Sequence, residues 1–334
     1  MKPGNASTAM KSAPHIAASA LIASAVLIAV LVIWWRFEQD MKLARFSAAQ
    51  GSLMAATPCG PIEYQEAGSG VPLLTIHGSG GGHDQGMGFA AGLARHGVRV
   101  IAMSRFGYLR TPMPADASPA AQADAHVCLL NALKISRAAV LGGSAGAPSA
   151  MQLAIRHPDR VSALILLAPL AWKPATTADS PPPLAPWVEG IVMRLIRSDF
   201  LFWVGHHLAN DQMTRWVLAT PPERVAAASP QERARIDTML AHILPVSARA
   251  DGLRSDTLLG KSLTRYPLES IHAATLIISA RDDGYGTFAS AQYLAGELPG
   301  STFIALDDGG HTWVGHDVAV QAAILKLVIA QGST

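Results

Sequence analysis

The stretch Gly142-Gly143-Ser144-Ala145-Gly146 sets a serine hydroxyl among small residues. It fits G-x-S-x-G, directly after an apolar run and directly before an alanine-rich run with helical spacing. That context predicts a sharp strand-to-helix turn holding Ser144 in an unfavourable backbone conformation. The residues two before and two after the serine approach so closely that side chains would collide, hence Gly142 and Gly146. The turn would also present the hydroxyl beside the positive end of the following helix. A phosphate-cradling loop is the competing reading, but the stretch lacks the Lys-Ser/Thr of a P-loop and the spacing of a dinucleotide fingerprint.

A serine hydroxyl is a poor nucleophile until a base takes its proton, and the base needs an orienting acid. Both types occur late in the chain. "ISARDDGYG" puts Asp282 and Asp283 just beyond an apolar run. Asp283 is the preferred acid because it lies four residues past Ser279, leaving the strand room to end. Asp282 is then a solvated or turn-capping neighbour. "LDDGGHTWVGHD" puts His311 in a Gly-Gly turn after the last strand. His316 is its rival, but it lies near the start of the final helix, where a capping or surface role fits better. His206 and His207 fall in sequence of a different texture and read as ordinary polar positions.

Attack on a carbonyl creates an oxyanion that needs donors fixed in advance. "HGSGGG", His77 to Gly82, follows the first long apolar run, and its glycines let the backbone approach a substrate. The backbone N–H groups of Ser79 and Ala145 are the two expected donors. Trp172 and Trp313 are candidates for contact with the substrate.

These groups need a scaffold that delivers them to one edge. "VPLLTIHG", "RVIAMS", "AAVLGGS" and "SALILLAP" read as buried parallel strands, with helical spacing between them. Strand–helix alternation predicts an α/β protein with a mostly parallel sheet flanked by helices. From about Leu170 to Ala274 the rhythm breaks into Pro-rich ("DSPPPLAP") and then helical sequence, rich in Trp and Phe (Trp172, Trp187, Phe200, Phe202, Trp203, Trp216). An inserted helical cap is expected there. The rhythm resumes with "TLIISA" and "STFIALDD". The expected organisation is a tail over 1–15, a transmembrane anchor over 16–35, a linker over 36–60, core over 61–170, cap over 171–273 and core again over 274–334.

Strand-HG-x-G, then G-x-S-x-G, a cap insertion, and a late Asp and His resemble the α/β-hydrolase superfamily across roughly residues 60 to 330. The resemblance implies Ser144 as nucleophile, Asp283 as orienting acid, His311 as base, no cofactor and no metal. Ser144 in place of aspartate sets the chain apart from the dehalogenase and epoxide hydrolase branches. "HGSG" is similar to the loop of hydrolases that cleave carbon–carbon bonds in ring-fission products. Two positions depart from that group. Thr312 separates His311 from Trp313, and Ser104 stands where an acidic residue usually opens the loop after the second long strand.

The chain has 334 residues, half of them apolar and 15% charged, with a formal net charge of +2. This excludes disorder and gives no basis for nucleic-acid binding; a small-molecule substrate is the expected partner. Cys59 and Cys128 are far apart without metal-ligand spacing and are expected as free buried thiols. Ile16 to Trp35 is 20 residues without a charge, a helix of roughly 30 Å, enough to cross a bilayer. Trp34, Trp35 and Arg36 end it as interface residues do, and no small-residue cleavage site follows, so an uncleaved membrane anchor is expected. Lys2, Lys11 and the amino terminus on one side nearly balance Arg36, Lys42 and Arg45 on the other; the catalytic domain is expected outside the cytoplasm.

Overall fold

The computed structural model describes residues 13–174 and 197–332. The Pro-rich stretch "DSPPPLAP" and Trp187 lie outside the described residues. Eight strands form one sheet: β1 (Leu53–Thr57), β2 (Gly60–Ala67), β3 (Val71–Ile76), β4 (Val98–Met103), β5 (Ala138–Gly143), β6 (Val161–Leu167), β7 (Ala274–Ala280) and β8 (Thr302–Leu306). Their order is β1-β2-β4-β3-β5-β6-β7-β8. From β4 to β8 every pairing is parallel, while β1 and β2 form an antiparallel hairpin at one edge. Six of the strands are the apolar runs read from the sequence.

Helices α1 (Ala13–Ala49), α2 (His83–Ala90), α3 (Pro119–Ala132) and α4 (Ala147–Arg156) precede β6. Between β6 and β7 the described chain has only helices and turns: α5 (Asp199–Leu208), α6 (Asn210–Val217), α7 (Pro222–Ala227), α8 (Pro230–Ala241) and α9 (Ala250–Ser262). Then come α10 (Thr287–Glu297) and α11 (Asp317–Gly332). Strand alternation sends Leu74 and Ile76 to one side of the sheet, against Leu129, Leu130 and Met151 of α3 and α4. Leu73 goes to the other, with Phe89 of α2 and Val320, Ile324 and Val328 of α11. Both faces are covered, as a parallel sheet requires.

Two expectations are corrected here. Residues 36–60 are not a linker: α1 runs on unbroken to Ala49, and the β1–β2 hairpin begins at Leu53. The reason is a second apolar stripe in α1. Phe37, Met41 and Ala48 are buried and Ala44 is partly so, a 4-3-4 spacing that sets them on one helix face. That face packs into the cap against Phe202, Trp203, Ile236 and Leu240. The Trp203 indole N–H donates to Asp40 at 2.8 Å, and His207 lies 3.6 Å from the same carboxylate. Earlier in α1 the apolar side chains from Leu21 to Trp35 are exposed all round, and the helix is long and apolar enough to cross a membrane.

Cys59 and Cys128 are not free thiols. They form a disulfide, with Cα atoms 6.1 Å apart. Cys59 sits in the β1–β2 turn and Cys128 on α3, a proximity created by the hairpin that replaces the expected linker.

Beneath the sheet face covered by α3 and α4, His126 is fully buried between Ser149 Oγ (3.1 Å) and Met103 Sδ (2.8 Å). Burial, followed by the nearby Arg105 charge, lowers its pKa to about 3. The unfolded chain protonates this ring near 6.5 and the folded one does not. Its stability contribution is therefore full above pH 6.5 and is lost as pH falls toward 3. The expected result is an unfolding free energy that drops below pH 6.5 by up to about 1.4 kcal/mol per pH unit for this ring. Urea titrations from pH 7 to 5 should show His126→Gln flattening that slope by about one proton.

Candidate active site

Every side chain of the site leaves the sheet at the same edge, beyond the C-terminal ends of the parallel strands. Ser144 follows β5 with φ of 49°, the left-handed region that a non-glycine residue occupies only under constraint. The constraint is close packing on both sides. A Cβ at Gly142 would lie 2.7 Å from Ala150 Cβ, and one at Gly146 would lie 2.5 Å from the Ile76 carbonyl oxygen. Strand β3 and helix α4 therefore clamp the turn from both flanks.

His311 arrives after β8 in the short turn Gly310–Thr312, and Asp283 after β7. His311 Nε2 lies 2.9 Å from Ser144 Oγ, and Nδ1 lies 2.8 Å from Asp283 Oδ2. A carboxylate only accepts, so Nδ1 carries the proton and Nε2 is left to accept the serine hydroxyl. Asp283 also accepts from the Tyr285 amide at 2.8 Å and from the Thr287 hydroxyl. Burial pushes its pKa up, but His311 and these donors outweigh it and hold the carboxyl below its ordinary value. Asp282 plays a different part. Its oxygens accept from the Gly309 and Gly310 amides and brace the turn that carries His311. His316 bonds to Asp308 at 2.9 Å, away from Ser144.

The glycine loop lies against the serine, and a Cβ at Gly78 would sit 3.0 Å from Ser144 Cβ. The Gly78 amide donates to Gln85 Oε1 at 2.8 Å and the Gly80 amide to Tyr108 Oη at 3.4 Å, whereas the Ser79 amide has no acceptor among the described residues. The Ala145 amide opens the short turn Ser144–Gly146, where helical amides have no upstream partner. His77 is fully buried; its Nδ1–H donates to the Gly78 carbonyl and its Nε2 accepts from the Arg105 amide. Burial, then the Arg105 charge, keeps that ring neutral, well below its ordinary pKa.

Several supporting residues were not visible in the sequence. Arg249, fully buried on the cap side, donates to the Gly81 carbonyl at 2.6 Å and to Asp84 at 2.7 Å. Burial raises the Asp84 pKa most strongly of any one cause, but the Arg249 charge and hydrogen bond, with His83 and His242, together outweigh it and lower it to about 2. From the α6–α7 connection, the Ala219 carbonyl accepts the His311 amide at 3.3 Å, and Thr220 Oγ1 meets Thr312 Oγ1 at 3.0 Å. The missing acid at position 104 also has an explanation. Glu63 of β2 is fully buried and accepts from Ser104 Oγ at 2.9 Å, from the Arg110 amide at 3.0 Å and from Arg110 Nε at 2.7 Å. A carboxylate from the neighbouring strand thus anchors the loop that begins at Ser104.

Trp172 lies two residues beyond Leu170, whose amide donates to the Ser144 carbonyl, and its ring stands edge-on to Tyr293 at 5.3 Å. Trp313 is corrected: it is 6% exposed, 5.9 Å from Phe89 and beneath the Arg235 guanidinium, with its indole N–H donating to Asp317. Its backbone is left-handed (φ 45°), and its ring belongs to the core with Phe89, Val320 and Ile324. A cavity of about 770 Å³ opens behind the glycine loop, between α2 and α8, but neither Ser144 nor His311 lines it. Among the described residues no group of three or more His, Cys, Asp or Glu is placed to hold a metal.

A strained serine at the end of a parallel strand, with a histidine in hydrogen-bond reach, is the architecture of a hydrolase. The sequence profile of the alpha/beta hydrolase fold matches residues 71–314, and the chain belongs to that family. It is 25% identical over 277 residues to the uncharacterized hydrolase YcgS of Bacillus subtilis (strain 168), covering 80% of this chain and 94% of that one. It is 28% identical over 239 residues to a 2-hydroxy-6-oxononadienedioate/2-hydroxy-6-oxononatrienedioate hydrolase of Paraburkholderia xenovorans (strain LB400), covering 67% and 75% of the two chains. A bacterial membrane phospholipase A shares the fold with a TM-score of 0.63 at 20% identity, covering 96% of this chain and 98% of that one.

The close approach at the serine turn yields a direct prediction. Gly146→Ala would force a methyl group onto the Ile76 and His77 carbonyls, and overpacking of this kind costs about 1–3 kcal/mol. Chemical unfolding should register that loss. Gly88→Ala, with nothing within 4 Å of its added methyl, should register none.

Proposed function

We propose that the protein is a membrane-anchored serine hydrolase that cleaves an ester or related acyl bond of a small to medium, largely apolar substrate. The observation that carries this reading is the continuous contact from Ser144 Oγ through His311 to Asp283, with separations of 2.9 and 2.8 Å. In the proposed reaction His311 Nε2 takes the serine proton as Oγ bonds to the acyl carbon. The carbonyl electron pair moves onto oxygen, where the amides of Ser79 and Ala145 receive it. The protonated imidazole, steadied by Asp283, gives its proton to the departing alkoxide, leaving an acyl-serine. Water then repeats the sequence: His311 takes its proton as the water oxygen bonds to the acyl carbon, the acyl–Oγ bond breaks, the imidazolium returns the proton to Ser144 Oγ, and the acid leaves. Trp172 is the candidate wall residue for the apolar part of the substrate.

The anchor in this reading is α1, whose apolar half is exposed on every side. The Cys59–Cys128 disulfide supports a catalytic domain outside the cytoplasm, because such bonds persist in oxidising compartments. Protease added to spheroplasts of an expressing bacterium should therefore remove the domain. Protection until the membrane is dissolved would reverse the assigned orientation.

A second reading, hydrolysis of a carbon–carbon bond in a ring-fission dienoate, is favoured by the likeness to the Paraburkholderia hydrolase. A panel of p-nitrophenyl esters from acetate to laurate, run beside such a dienoate, separates the two. Turnover of esters with the dienoate untouched is the expected result, and turnover of the dienoate alone would reverse the order.

A fluorophosphonate should label the wild type and leave Ser144→Ala unlabelled. Asp283→Asn is expected to lower kcat by about 10⁴, since the neutral amide favours the wrong imidazole tautomer. Asp282→Asn only loosens the turn under His311, and a loss of about 10- to 100-fold is expected. Comparable losses in both variants would count against Asp283 as the orienting acid.

A further inference from the structure

Asp256 of α9 is a buried carboxylate that the proposed reaction does not use. It forms an ion pair with buried Arg105 and accepts from Tyr108 Oη at 2.5 Å and Ser79 Oγ at 2.9 Å. Arg105 in turn donates from Nη1 to the Ala145 carbonyl at 2.7 Å. One charge pair therefore touches the two residues whose amides are assigned to the oxyanion, and it reaches them from a cap helix. Cap and core are tied at the same place by backbone bonds. The Gly252 amide donates to the Gly107 carbonyl at 3.0 Å, and the Leu109 amide donates to the Ala248 carbonyl at 2.8 Å. Tyr108 packs so tightly on Gly252 that a Cβ there would overlap its ring.

Those backbone bonds and the Tyr108–Gly252 contact tie cap to core independently of the ion pair. A buried ion pair is also a weak way to gain stability, since well-packed apolar residues of the same volume often do as well or better. Its value here lies in direction: a bidentate-capable guanidinium and a carboxylate with several donors fix atoms to a fraction of an ångström.

We infer that Asp256, acting through Arg105 and through the Ser79 hydroxyl, is a positioning residue that aligns the Ser79 and Ala145 amides, so that the oxyanion site is complete only with the cap helix seated. This rests on the serine-hydrolase reading above. Arg249 holds Gly81, two residues further along the same loop, so the cap restrains the loop at both Ser79 and Gly81.

The test is the second-order rate of phosphonylation of Ser144 by a fluorophosphonate, which needs no knowledge of the natural substrate. Loss of one oxyanion donor costs on the order of 100- to 1000-fold in rate, so imperfect alignment in Asp256→Asn should slow labelling by about 10- to 100-fold. Labelling should still reach one probe per protein at the end point. On p-nitrophenyl butyrate the loss should fall on kcat with KM little changed, and Asp256→Glu should recover part of it. Arg105→Met/Asp256→Leu removes both charges together and keeps the volume apolar. It should melt near the wild-type temperature and label as slowly as Asp256→Asn. If Asp256→Asn fails to fold, this double variant decides the matter. Folded protein from either variant that labels at the wild-type rate, or loses activity through KM alone, would overturn the inference. Ser144→Ala labelling as fast as wild type would instead refute the serine-hydrolase reading itself.

Discussion

The left-handed backbone at Ser144 is the constraint on which the rest of the site is built. A residue with a side chain holds φ near 49° only if its surroundings leave no alternative. The walls here are the Ile76 and His77 carbonyls on one side and α4, through Ala147 and Ala150, on the other. Each wall is admitted by the absence of a side chain, at Gly146 and Gly142. The strain lifts the hydroxyl clear of the sheet edge, to the level where the turns after β7 and β8 also emerge. The register of β5, β6, β7 and β8 in one parallel array then fixes how far Asp283 and His311 stand from the serine.

Around that edge the cap contributes more than a cover. Ala219 and Thr220 hold the His311 turn from one side; Arg249 and Asp256 hold the glycine loop from the other. Most of these contacts end on main-chain carbonyls or hydroxyls, so their effect is to set peptide orientation. Oxyanion stabilisation depends on donors that need not reorganise during reaction. A loop of glycines cannot supply that rigidity alone, because glycine has the largest backbone freedom to lose. Buried charges from the inserted segment hold that loop from outside, at the Ser79 hydroxyl and the Gly81 carbonyl.

Local pattern and long-range contact explain what the sequence revealed and what it concealed. The six parallel strands were legible because apolar runs are local signals, and the turns that carry Ser144, Asp283 and His311 were located by local signals of the same kind, glycines beside a strand end. The choice of Asp283 over Asp282 rested on counting residues past Ser279, and hydrogen bonding now separates their settings. Asp256, Arg249 and Glu63 were hidden because a charged residue in a helix, turn or hairpin strand looks solvated until its distant partner is known. Glu63 reaches Ser104 only through the hairpin, and the hairpin was hidden by its small-residue, Gly-Pro-bearing sequence. The disulfide was concealed for the same reason. Trp313 was not legible because nearness to His311 in sequence says nothing about the direction in which its side chain points.

The stripe Phe37, Met41, Ala44 and Ala48 was readable at helical spacing, and it changes the relation between the apolar N-terminal segment and the domain. A flexible tether would let the domain tumble above whatever surface the segment enters. A continuous helix does not. Phe37 meets Phe200 and Trp203 at 5.2 and 5.7 Å, and Asp40 receives the Trp203 N–H. The far end of the same helix places the Ala48 carbonyl 3.0 Å from His83 Nε2, one residue beyond the glycine loop. Buried aromatic packing of this kind is stiff and costly to separate. The helix that carries the apolar segment is thereby part of the cap's own core, and it ends against the loop that flanks Ser144.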